Sequence, residues 1–169
     1  MMGRALLIVG WLATLGLVAN AVLGYLLGST LPSLTPHLLL GLVACLLLLF
    51  SHSWVMFYLI GTGKAIKDAV RDHGLDPAFA EETKRFKNAS YPWLMLAMAL
   101  VMATFILGGG VATGFVPSWV HHVLFYAAIP AQGYALWIER RILGDNERLM
   151  ADVDRRLVAA AASPVRAGA

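Results

Sequence analysis

The chain has 169 residues, 59% of them hydrophobic and 14% charged, with a net charge of +3. A soluble domain carries about a quarter charged residues, so this is the composition of a membrane domain. Basic and acidic residues are interleaved rather than massed, which argues against a nucleic-acid groove, and no nucleic acid is expected as a partner.

Four apolar stretches, about 5–28, 38–61, 92–115 and 119–139, each reach the roughly 20 residues that a helix needs to cross a bilayer core. Lipid leaves backbone groups no outside partner, so such stretches are helices. All 13 basic and 10 acidic residues lie in 1–4, in 62–91 or after Ile138, and no charge is expected inside a span. The positive-inside pattern then places both termini and 62–91 in the cytoplasm of a bacterial-type inner membrane. The expected fold is an all-α integral membrane protein. It comprises a four-transmembrane-helix bundle (1–139) with a cytosolic helical hairpin (62–91), a C-terminal amphipathic helix (140–162) and a disordered tail (163–169).

The first span carries Gly16, Asn20, Gly24 and Gly28 at intervals of four. Small residues on one stripe let a neighbouring helix approach closely, with the asparagine available for an interhelical hydrogen bond. Arg4 followed by Ala19-Asn20-Ala21 has the look of a cleavable leader. The apolar stretch continues well past that point, so the span is read as retained, and cleavage would leave the remaining topology unchanged.

The second span begins with His37 at the outer face and holds the single cysteine, Cys45, and His52. His52 sits about nine residues from the cytosolic end, roughly 13 Å into the apolar layer. In 62–91, Gly74 ends one helix, and Asp76-Pro77 supplies an N-cap and a proline at the first helical position of the next. Pro92 then kinks or restarts the chain at the membrane. The third span carries Met95, Met98 and Met102 on one face and Gly108, Gly109, Gly110 and Gly114 towards its outer end. The fourth opens with His121 and His122. Gly144-Asp145 marks a break before the amphipathic stripe of Leu149, Val153 and Leu157. No internal repeat is evident.

Catalytic signatures are missing. There is no CxxC pair, HExxH or glycine-rich phosphate loop, and no catalytic residue is assigned. The histidines remain as cofactor-binding candidates: His37, His52, His121 and His122. His37, His121 and His122 lie at one membrane level, where they are candidates for an outer haem or a copper or zinc site. His37 and His52 are 15 residues apart, pointing within about 60° of each other and roughly 22 Å apart along the helix. That resembles the two-haem arrangement of b-type cytochromes, in which one helix supplies a ligand at each face. For an inner haem the second ligand would be Met98 or Met102. Haem propionates favour basic partners, and the outer face offers no lysine or arginine.

Two functions are therefore expected. The first is a non-enzymatic accessory or scaffold subunit, held in the lipid bilayer and contacting a protein partner or a second copy through its membrane helices or hairpin. The second is a redox membrane subunit with b-type haem or quinone between spans two, three and four.

Overall fold

The computed structural model describes residues 2–26 and 33–162. Gly28, the outer-loop positions 29–32 and the tail from Ser163 lie outside the described residues. The described chain is all helical, with α1 at Met2–Leu26, α2 at Thr35–His73, α3 at Ala78–Ala112 and α4 at Ser118–Ala162. Three of these, α1, α2 and α3, are long and apolar enough to cross a membrane. The opening half of α4 is diluted by His121, His122, Pro130 and Gln132, and α4 packs extensively against α3.

Local sequence explains the helix ends. Gly74 takes a left-handed φ of 61°, which a glycine adopts without strain, and its N–H returns to the Val70 carbonyl. Asp76 Oδ1 accepts a hydrogen bond from the Ala78 N–H at 2.8 Å, tying down an otherwise orphaned donor at the start of α3. Pro36 sits in the first turn of α2, where its missing N–H costs nothing.

Two expected interruptions are absent. α3 runs through Pro92 and α4 runs through Gly144-Asp145, each as one continuous helix. The amphipathic helix expected at 140–162 is thus the lower half of α4. The expected hairpin at 62–91 is the paired lower ends of α2 and α3. Those ends are held by packing: a Cβ on Gly63 would lie 3.4 Å from Thr83, and Phe86 is buried in the lower core. Tertiary contact of this kind outweighs the weak helix propensity of a glycine.

The helices form a ring in chain order, α4 returning to α1. α2 and α4 also meet across the diagonal, and among the described residues α1 and α3 do not. Two apolar clusters fill the interior. The upper holds Ala13, Cys45, Leu48, Val101 and Ala128; the lower holds Leu6, Val55, Leu59, Phe86, Leu94, Ile138, Ile142 and Leu143. Of the three methionines, Met98 packs against the upper cluster, whereas Met95 and Met102 face outward.

The small-residue stripe of α1 faces α2. A Cβ on Gly16 would lie 3.2 Å from the Ala44 Cβ, and one on Gly24 would lie 2.9 Å from the His37 Cε1. We predict that Gly24→Leu displaces the His37 ring and lowers the thermal midpoint in detergent by several degrees. Gly133→Leu, where a Cβ meets nothing within 4 Å, should leave that midpoint level or raised, since glycine costs a helix about 1 kcal/mol. Equal midpoints for Gly24→Leu and the parent chain would contradict the packing of α1 on α2.

Candidate functional site

At the end of the bundle away from the chain termini, His37 lies near the start of α2 and His121 near the start of α4. The His37 Nδ1–H donates to the Asn20 carbonyl on α1 at 3.0 Å, and the His121 Nδ1–H donates to the Thr104 carbonyl on α3 at 2.9 Å. Each ring also presses its edge against a glycine. A Cβ on Gly24 would stand 2.9 Å from the His37 Cε1, and one on Gly108 would stand 2.9 Å from the His121 Cε1.

The two arrangements are copies. Thr104, Gly108 and His121 each lie 84 positions after Asn20, Gly24 and His37. The sequence reading saw no repeat, because few other residues match. The structure corrects that reading: the α1–α2 and α3–α4 hairpins build the same histidine seat twice. Six small constraints, two carbonyls, two glycines and two rings, carry the symmetry, and the rest of each helix is free to vary.

The rings face each other across the α2–α4 diagonal, their centres 6.4 Å apart and their planes at 80°. Fixing Nδ1 as the donor leaves Nε2 as the lone-pair nitrogen, the arrangement that prepares an imidazole for a metal. Among the described residues neither Nε2 has a hydrogen-bond partner. Between and below the rings lies a cavity of about 250 Å³, walled largely by apolar side chains and by Gly24, Gly41 and Gly108, with Thr14 and Gln132 at its floor. His122 sits at the rim and stacks on Tyr25, whose hydroxyl bonds that of Tyr126. No group of three or more His, Cys, Asp or Glu among the described residues is arranged to hold a metal ion. A bare copper or zinc ion at His37, His121 and His122 therefore lacks its ligand set.

His52 lies deeper, fully buried between the two apolar clusters, pointing into the bundle as an imidazole in lipid should. Its Nδ1 shares a hydrogen bond with Glu139 Oε1 at 2.6 Å, and its Nε2–H donates to Gln132 Oε1 at 2.9 Å. The Gln132 amide nitrogen in turn donates to the Thr14 hydroxyl at 3.0 Å, and that hydroxyl donates to the Gly10 carbonyl at 2.8 Å. Both ring nitrogens are engaged, so in this arrangement His52 offers none to iron. Met98 accepts a weak bond from Ser53 at 3.8 Å instead of facing a second cofactor.

Glu139 is the residue that the sequence reading missed. Standing before Arg140 and Arg141, it reads as the first residue of a cytosolic charge run. The structure overturns the expectation of spans free of charge at the level of His52: Glu139 is 0% exposed and pairs with that ring. A signal was available in the spacing. Gln132, Glu139, Asn146 and Val153 recur every seven residues on α4 and all are buried, whereas Arg140 and Arg141 point outward. His73, also outside any span, is exposed.

No protein-family model, curated protein or solved structure matches the chain. The candidate site therefore rests on its geometry alone.

Breaking a buried ion pair costs about 3–5 kcal/mol, because the surviving charge stays buried without a partner, whereas replacing both members by apolar groups is far milder. His52→Leu should therefore lower the detergent melting temperature sharply, and His52→Leu combined with Glu139→Leu should recover most of the loss. A double variant as unstable as the single one would show that pairing is not what the site contributes.

Proposed function

We propose that the chain is a redox subunit that spans the membrane four times, and that His37 and His121 would hold one b-type haem between α2 and α4. The observation that carries this reading is the pair of symmetry-related rings. A metal–imidazole bond is about 2 Å and a ring centre lies about 1 Å behind its nitrogen, so two imidazoles on opposite sides of one metal have centres about 6 Å apart. The observed 6.4 Å fits that separation. Backbone carbonyls that fix each Nδ1–H make Nε2 the ligating atom on both sides.

The surroundings suit a flat macrocycle. Gly24, Gly41 and Gly108 keep side chains away from the cavity wall, and Phe105 and Phe125 supply apolar faces. At about 250 Å³ the cavity lies just below the usual range for small-molecule sites, so the helices would have to part at the open end to admit a porphyrin. When bound, haem supplies one-electron chemistry. The chain supplies two fixed imidazoles, a dry wall and, at Gln132 and Thr14, a polar floor.

The same reading places the histidine end outside and both termini in the cytoplasm of an inner membrane. Support comes from the charge distribution and from the extensive packing of α4 against α3, itself long and apolar enough to cross a membrane. A scaffold role, in contact with a protein partner or a second copy, remains the second reading, favoured by the long helical extensions below the apolar clusters.

The test is an optical spectrum of the purified chain, oxidised and then reduced. The parent chain should show the sharpened alpha band of a six-coordinate low-spin haem. His37→Ala and His121→Ala should each abolish it, while His122→Ala and His52→Gln should keep it. A chain produced with ample haem that shows no Soret band would leave the scaffold reading. A periplasmic reporter should be active near Ser33 and a cytoplasmic one near Gly74 and after Ala169; periplasmic activity at the C-terminus would overturn four spans.

A further inference from the structure

We propose that His52 and Glu139 form a proton-binding site inside the apolar layer, and that Gln132 relays its occupancy to the cavity floor. The inference stands on these residues and requires nothing bound at His37 and His121.

The hydrogen-bond directions define the occupied state. Both His52 nitrogens face oxygen acceptors, Glu139 Oε1 at 2.6 Å and Gln132 Oε1 at 2.9 Å. An imidazole satisfies two acceptors only when both nitrogens carry hydrogen, or when the carboxyl lends its own proton to Nδ1. Either way the pair holds the same number of protons and is neutral overall, which is the state that a site in an apolar layer favours.

Releasing one proton to water leaves a carboxylate and a neutral imidazole: HisH⁺·Glu⁻ becomes His·Glu⁻ plus H⁺. With Nδ1–H kept on the Glu139 side, Nε2 becomes a lone pair facing the lone pairs of Gln132 Oε1. A flip of the Gln132 amide removes the clash by turning its NH₂ towards His52. Its oxygen then faces Thr14, whose hydroxyl must leave the Gly10 carbonyl to donate to it. Thr14 and Gln132 both line the outer cavity. One proton gained or lost at His52 thus reverses a chain of hydrogen bonds that ends on the cavity wall.

A second observation separates this site from a fully satisfied structural pair. Glu139 Oε2 is buried without a hydrogen-bond partner, in the close contact of Gly10 with Leu136 and Ser51, where a Cβ on Gly10 would stand 3.9 Å from it. One buried carboxylate oxygen without a partner leaves the hydrogen-bonding capacity of the pair incompletely used. The groups facing the pair carry no competing charge. α1 presents Gly10 and Thr14, α2 presents Ser51, and α4 presents Gln132 and Leu136. The buried α3 residues Leu94, Ala97 and Val101 are apolar, and the next ionisable side chains on α4, Arg140 and Arg141, are exposed.

The experiment is a pH-difference infrared titration of the full chain in lipid nanodiscs, with isotope-labelled histidine, from about pH 5 upward. The parent chain should lose one histidine-borne proton in a single step, accompanied by a shift of a glutamine amide band. Glu139→Gln and, as a second variant, His52→Gln should each remove that step. Gln132→Leu should keep the step but move it to at least about tenfold higher proton concentration, because a hydrogen bond to the charged ring is lost. Histidine bands that stay constant in the folded parent chain would overturn the proposal and leave a fixed structural pair. So would a step that survives Glu139→Gln. A haem-free preparation gives the same readout, so failure of the haem reading would be seen separately.

Discussion

The bundle turns on one buried hydrogen-bonded pair. His52 and Glu139 join α2 to α4 across the diagonal at a level where neither side chain can reach water. Leaving either unpaired there would cost several kcal/mol, so the pair fixes which faces of α2 and α4 look inward. It also divides the core. Apolar clusters lie above and below it, and Gln132 and Thr14 extend the polar layer to α1. In an environment where apolar side chains gain little by leaving lipid, such directional contacts and close small-residue packing set helix positions.

That fixed inward face brings the two upper histidines together. Once α2 and α4 are registered at His52 and Glu139, residues a few turns above them on the same helices face each other over the cavity. The α1 and α3 backbones then orient the rings through the Asn20 and Thr104 carbonyls, with Gly24 and Gly108 admitting them. Rigid rings on rigid helices are the condition for a ligand site precise enough to hold an iron.

The helical character was legible from apolar run length, and the close packing of the α1 small-residue stripe on a neighbouring helix was legible from its four-residue spacing. Three features were not. Pro92 and Gly144 do not interrupt their helices, because neighbouring helices hold the backbone on both sides of them. Glu139 was hidden by Arg140 and Arg141, since a charge beside charges reads as a boundary unless its seven-residue spacing to Gln132 and Asn146 is weighed. The twofold seat of His37 and His121 was hidden for a different reason. It is encoded in backbone carbonyls and glycines, which constrain few side chains and leave almost no trace of similarity between the halves.

The two imidazoles 6.4 Å apart give the account its most direct test. If His37 and His121 would together hold a haem, low-temperature electron paramagnetic resonance of the oxidised, haem-loaded chain should show a low-spin signal that is lost in His37→Ala and in His121→Ala. A high-spin signal in the parent chain, or a low-spin signal that survives either substitution, would contradict the assignment of His37 and His121 as the pair.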